Sequence, residues 1–151
     1  MKLEIGDKAP FFKLKNQDDV EIALTDLISK KIVLYFYPKD NTPGCTIQAL
    51  DFTEMLDEFE KKGAIVVGIS PDSTTSHKKF IQNRELKHIL LSDIDKSVAT
   101  SYGVYGKKMM YGKEVFGIIR SSFIIGKDGI IQKVFYNIKA KGHAKDILDS
   151  L

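Results

Sequence analysis

Tyr37-Pro38-Lys39-Asp40-Asn41-Thr42-Pro43-Gly44-Cys45-Thr46 joins the most apolar run of the chain, Ile32 to Tyr37, to a segment of helical periodicity that begins at Cys45. The run before it is continuous rather than alternating, as expected of a strand buried on both faces in a parallel sheet. After it, Cys45, Ala49, Phe52, Leu56 and Phe59 keep the three-and-four spacing of one helix face. Asp51, Glu54, Asp57, Glu58 and Glu60 fall between them and suit water, and Lys61-Lys62-Gly63 closes the helix with cations and a glycine. The only cysteine of the chain therefore stands where a buried strand hands over to the first turn of a helix. Unpaired N–H groups and the positive end of the macrodipole at such a place favour a thiolate over a thiol.

Working outward, Asn16-Gln17-Asp18-Asp19 is a turn signal, and Val20 to Leu24 alternates like a half-buried strand, so a small hairpin is expected at the N-terminus. Thr25 can cap a short helical turn through Ile28. Ala64 to Ser70 reads as a second buried strand, followed by a turn and cap at Pro71-Asp72-Ser73 and a helix through His77, Phe80, Ile81 and Arg84. Ile89-Leu90-Leu91 is a short strand, and Asp93 or Asp95 caps a short helix toward Tyr102. Gly103 to Gly117, with its glycines, tyrosines and Met109-Met110, reads as a long surface loop. Ile118 to Ile125 and Ile130 to Tyr136 then flank Gly126-Lys127-Asp128-Gly129 as a hairpin, and Gly142 to Leu151 forms a last amphipathic helix. The order predicts one α/β domain over residues 1–151, a three-layer arrangement that resembles the thioredoxin fold with an N-terminal β-hairpin extension. Fold order alone does not establish function.

Composition narrows the partners. A formal net charge of +3 with scattered lysines argues against nucleic acid, and Lys30-Lys31, Lys61-Lys62 and Lys107-Lys108 suit solvated element ends. Met1 to Phe12 has no hydrophobic stretch of a signal peptide, and the longest apolar run falls far short of the ~20 residues of a membrane helix. One cysteine cannot form an internal disulfide. A cytoplasmic location with no membrane partner is the expectation.

Thiol chemistries differ in their partners. Dithiol exchange needs Cys-x-x-Cys, but Thr46, Ile47 and Gln48 follow Cys45. A cysteine phosphatase closes its phosphate loop on an arginine six residues after the cysteine, where this chain has Asp51. A cysteine protease would recruit a histidine. His77, His88 and His143 occupy polar or helix-end positions that read as surface, lack metal-ligand spacing, and could serve only through tertiary contact. Peroxide reduction remains, which needs a thiolate and hydrogen-bond donors for a departing oxygen.

Here the stretch resembles a known family. Pro38, three residues, Thr42, two residues and Cys45 match the peroxiredoxin active-site pattern. The wider string Tyr35 to Thr46, with Gly68-Ile69-Ser70-Pro71-Asp72 and Arg120-Ser121-Ser122-Phe123-Ile124-Ile125, is similar to the bacterioferritin comigratory protein, or peroxiredoxin Q, subfamily over essentially the whole chain. The resemblance implies a thiol peroxidase that acts on hydrogen peroxide and organic hydroperoxides in antioxidant defence, without a cofactor or metal. It makes Cys45 the peroxidatic residue, which passes through a sulfenic acid. Thr42 would bond the peroxide and the sulfur, Pro38 would shield the pocket, and Arg120 would hold the thiolate and stabilise charge as the O–O bond breaks. Gly44 and Pro43 would complete the substrate site, with backbone N–H groups of Cys45 and Gly44 donating to the peroxide. Read without the resemblance, Thr42 can be a turn or N-cap residue, Pro38 and Pro43 loop stiffeners, and Cys45 a small buried hydrophobe. Arg120 interrupts an apolar strand, where a buried charge needs a partner.

One position departs from the subfamily. Many members carry a resolving cysteine five residues after the peroxidatic one, and here that residue is Leu50. An outside thiol must then regenerate Cys45, or two Cys45 residues must meet between chains. The resemblance points to thioredoxin, with glutathione or another small thiol as the alternative, and it leans toward a monomer. The segment with Tyr105, Met109, Met110 and Tyr111 is expected to shape peroxide preference. A redox sensor using the same sulfenic acid, and a thioredoxin-like domain without redox function, are the competing readings.

Overall fold

The computed structural model describes residues 2–151, apart from the side chain of Met110. The N-terminal hairpin is β1 (Lys13–Asn16) and β2 (Glu21–Ala23), followed by a single helical turn α1 (Leu24–Leu27). Thr25 lies inside that turn rather than capping it; the Asp26 carboxylate accepts from the Ala23 N–H instead. Then come β3 (Lys31–Phe36), α2 (Pro43–Glu54), α3 (Leu56–Lys61), β4 (Ala64–Ser70), α4 (Thr74–Arg84), β5 (Ile89–Ser92) and α5 (Ser97–Ser101). The chain closes with β6 (Tyr105–Met110), β7 (Lys113–Ile118), β8 (Ser121–Ile125), β9 (Ile131–Phe135) and α6 (His143–Ser150).

Seven strands form one mixed sheet in the order β2-β1-β5-β4-β3-β8-β9. β3, β4 and β5 run parallel, their returns supplied by α2–α3 and by α4, and β8 lies antiparallel to β3 on its other side. β3 is thus central, as its unbroken apolar run requires. Its side chains split between two cores. Ile32, Leu34 and Phe36 face a cluster with Phe12, Leu24, Tyr102 and Phe123. Val33 and Tyr35, with Tyr37 just past the strand's end, face a second cluster with Cys45, Ala49, Phe52, Phe80 and Ile147. The period-two alternation of the strand produces the three layers. Gly68 on β4 is required by this packing: a Cβ there would sit 2.7 Å from Cζ of Tyr35.

Three local expectations change. The helix starts at Pro43 and breaks at Met55 into α2 and α3, rather than running on from Cys45. Gly103 to Gly117 is mostly a β6–β7 hairpin instead of a loop, paired from Tyr105↔Ile118 to Met110↔Lys113. Its two-residue turn places both Tyr111 (φ 53) and Gly112 (φ 77) in the left-handed region, the primed-turn geometry that matches strand twist. Arg120 precedes β8 and does not interrupt it; Ile119 and Arg120 link β7 to β8. Asp93 and Asp95 both cap α5, Asp93 by accepting from the Val98 and Ala99 N–H groups and Asp95 from Ser97.

Candidate active site

The loop between β3 and α2 sets the site. Thr42 occupies the N-cap position of α2 with an extended backbone, and Pro43 follows where its missing N–H costs nothing. The first helical bond runs from the Thr46 N–H to the Thr42 carbonyl. The N–H groups of Gly44 and Cys45 stand before it, among the donors that a helix start leaves without an intrahelical acceptor. The Thr42 hydroxyl does not claim them; it donates to the Lys39 carbonyl at 2.9 Å.

Cys45 is 1% exposed, on the face of α2 turned to the sheet. Arg120 reaches it from the β7–β8 link. Its Nη2 donates to Cys45 Sγ at 3.2 Å and its Nη1 to Gln48 Oε1 at 2.6 Å. The two acceptors are three residues apart on one helix face, a spacing that the rigid guanidinium fork spans. The backbone of Arg120 is pinned as well, since its carbonyl accepts from the Ile138 N–H at 3.0 Å and the preceding Ile119 N–H donates to Val104 at 2.7 Å. Gly44 leaves room for this approach: a Cβ there would lie 3.2 Å from Arg120 Nη2, a tight contact.

Beside the guanidinium a groove of about 540 Å³ opens, lined by Pro38, Lys107, Lys108, Met109, Ile119 and Tyr136 among others. Pro38 therefore flanks Arg120, and Met109 from the hairpin forms part of the wall, whereas Tyr111 is 97% exposed at the turn. The Met110 side chain lies outside the described residues. Burial, then the charge of Arg120, pushes Lys108 below the usual lysine range, and its Nζ donates to the Ile118 carbonyl at 2.7 Å. Behind Cys45, Tyr35 stacks on Phe52 and Tyr37; burial first, then the nearby Cys45 and Asp40, hold its hydroxyl well above the ordinary range.

The structure thus brings Cys45, Arg120 and Gly44 together, with Thr42 and Pro43 at the helix start and Pro38 on the groove. Gln48 was not among the residues singled out from sequence, yet it is fully buried and its Nε2 has no partner among the described residues. The available signal was a polar residue three positions after Cys45 on an apolar face. The histidines need correcting: His77, His88 and His143 are 0%, 5% and 4% exposed. Each is buried against a partner from a distant segment, His88 bonding Tyr35 and Thr53, and His143 bonding Ser122. Burial depresses His88 and His143 to about 4.

The structure thus sets a thiol at a helix start against an arginine that also lines a groove. The AhpC/TSA family model matches residues 5–134. The chain belongs to the peroxiredoxins of the AhpC/TSA family. The bcp peroxiredoxin of Helicobacter pylori strain J99 is 62% identical over 150 residues, 99% of each chain. Peroxiredoxin Bcp of Bacillus subtilis strain 168 is 42% identical over 151 residues, covering 100% of this chain and 96% of that one. Among solved structures, a cysteine-to-serine mutant of Xylella fastidiosa PrxQ superimposes with a TM-score of 0.93 at 35% identity, over 99% of this chain and 96% of that one. Xanthomonas campestris bacterioferritin comigratory protein, described for its alkyl peroxide reduction activity, gives 0.86 at 37% identity over 92% and 88%. The fold of this peroxiredoxin is the thioredoxin-like fold expected from its element order. As a member of the family it takes a peroxide as substrate and a thiol as reductant. No helix among its described residues is long and apolar enough to cross a membrane.

Proposed function

We propose that Cys45 is the peroxidatic residue of a one-cysteine thiol peroxidase that reduces hydrogen peroxide and organic hydroperoxides. The observation that carries this reading is the Arg120 bridge between Cys45 Sγ and Gln48, which fixes a cation against the sulfur. The thiolate attacks one peroxide oxygen; an S–O bond forms, the O–O bond breaks, and the other oxygen leaves as hydroxide or alkoxide that takes a proton. Cys45 is left as a sulfenic acid. The N–H groups of Gly44 and Cys45 and the Arg120 guanidinium donate to the oxygen that gains charge, while Pro43 opens the helix so that these donors face the pocket. Because the Thr42 hydroxyl spends its proton on Lys39, it meets the peroxide as an acceptor and aligns the oxygen that keeps a hydrogen. Pro38 covers the groove side of Arg120 and limits water.

Leu50 stands where a same-helix resolving thiol would be, so an external thiol attacks the sulfenic sulfur, releases water and forms a mixed disulfide. A second thiol then frees Cys45. Thioredoxin is the reductant proposed, with the protein acting as a cytoplasmic monomer. The test is peroxide consumption by the wild type and Cys45→Ser, with a thioredoxin system and glutathione supplied separately. Repeated turnover by the wild type alone supports the enzyme, and the productive reductant names the partner. One equivalent consumed per chain with every thiol would instead make the protein a sensor, and equal decay with both proteins would remove the redox role.

A further inference from the structure

Asp40 sits in the middle of the loop that carries Pro38 and Thr42, yet it is only 8% exposed. Its carboxylate meets three groups, one just past β3 and two on α4: the Tyr37 hydroxyl donates to Oδ1 at 2.6 Å, and the Ser76 hydroxyl at 2.8 Å and His77 Nδ1 at 2.7 Å meet Oδ2. The Asp40 backbone N–H donates to Asp72 Oδ2 at 2.7 Å, an oxygen that also accepts from Ser70. His77, fully buried on α4, places its Nε2 2.9 Å from the Leu91 carbonyl of β5.

A carbonyl can only accept, so Nε2 carries a hydrogen. Nδ1 faces a carboxylate oxygen, and a bond there needs a second one. The Tyr37 and Ser76 hydroxyls donate to the same carboxylate, so Asp40 and His77 share one hydrogen across the 2.7 Å contact. Both ring nitrogens are taken up by hydrogen bonds, so the 4.8 Å grouping of Asp40, Asp72 and His77 does not read as a metal site.

We propose that Asp40 and His77 are positioning residues for the peroxidase reaction: the pair clamps the loop bearing Thr42 onto α4 and β5, so that α2 starts with its free N–H groups facing the peroxide. This rests on the reading of Thr42 and the helix start as the peroxide site. The rest of the loop is held more lightly. Asn41 (φ 62) accepts only a 3.3 Å bond from Arg84, and the Thr42 hydroxyl bonds within the loop itself. Removing either member breaks the bond between them and strands the other in a buried site. The two side chains therefore act as a unit.

The experiment measures single-turnover oxidation of Cys45 by hydrogen peroxide in the wild type, Asp40→Asn, His77→Gln and the double variant, with reduction of the sulfenic acid by a thiol timed separately. Each single substitution is expected to slow oxidation roughly tenfold or more, as a loop displaced by a fraction of an ångström would. The double variant is expected to be no slower than the worse single, and the reduction step not to slow. Singles that lose thermal stability but oxidise at the wild-type rate while folded would overturn the inference, as would effects that multiply in the double variant. Nitrogen NMR of the wild-type His77 ring tests the pair independently of any variant's folding. A hydrogen on Nε2 and a hydrogen-bonded Nδ1 are expected, and an Nδ1 that makes no hydrogen bond overturns the clamp as drawn. Wild type that fails to oxidise at all would instead sink the peroxidase reading, which keeps the two failures distinct.

Discussion

Arg120 Nη2 lies 3.2 Å from Cys45 Sγ across 75 residues of sequence, and the same guanidinium holds Gln48 at 2.6 Å through its other terminal nitrogen. One planar cation therefore links the sulfur to the helix that carries it. A lysine can offer an ammonium to one of these acceptors but not to both in a fixed plane. Arg120→Lys is expected to lower the second-order rate of Cys45 oxidation by roughly a hundredfold, the usual cost of removing one preorganised donor. Stopped-flow oxidation with hydrogen peroxide checks it, and a rate within twofold or so of wild type would sink the clamp.

Gly44→Ala tests the same bond from the opposite side. The added methyl would lie 3.2 Å from Nη2, so the guanidinium must give by a few tenths of an ångström beside the sulfur. Oxidation should slow by roughly tenfold, since catalytic geometry tolerates little displacement. The thermal midpoint should barely move, because alanine suits a helix better than glycine does.

Gln48→Leu removes the acceptor of Arg120 and also a buried amide nitrogen without a partner. Activity is expected to fall further than urea stability, because the loss of an unpartnered amide nitrogen offsets part of the cost of leaving Arg120 Nη1 without its acceptor. Parallel loss of both quantities would mean that Gln48 is chiefly structural.

With Cys45 the only thiol, intact mass after one equivalent of peroxide should rise by about 16 Da, and excess peroxide should add about 16 Da in each further irreversible step. No internal disulfide can intercept the acid. A stable species at the unmodified mass after peroxide is consumed would contradict this sequence.

His88 gives a pH signature of stability. Burial lowers it from the ordinary 6.5 to about 4 in the folded protein. As pH falls below 6.5 the unfolded chain gains this proton first, so stability held above that pH is lost progressively down to about 4 and no further below it. The full loss from this one residue is about 3 kcal/mol. His143, lowered to about 4 mainly by burial, acts in the same direction. Urea midpoints across this range should fall with pH in the wild type and less steeply in His88→Gln.

Chain-local physics made much of this protein legible. The unbroken Ile32–Tyr37 run required a central strand, the spacing from Cys45 to Phe59 required a helix face, and the Pro38–Thr42–Cys45 pattern placed a thiol at its start. The lack of a second cysteine also excluded an internal disulfide. What hydropathy could not show was the burial of polar groups. His77, His88 and His143 read as surface, and Gln48 went unremarked, because a window of neighbours carries no record of Asp40, Tyr35, Ser122 or Arg120, which arrive from distant segments. The β6–β7 hairpin was hidden for a related reason: its turn sets a tyrosine at positive φ, a cost that strand pairing offsets but composition does not signal. Local periodicity thus determined where the sulfur stands. Long-range hydrogen bonds, formed only when distant segments pack, decided what holds it there.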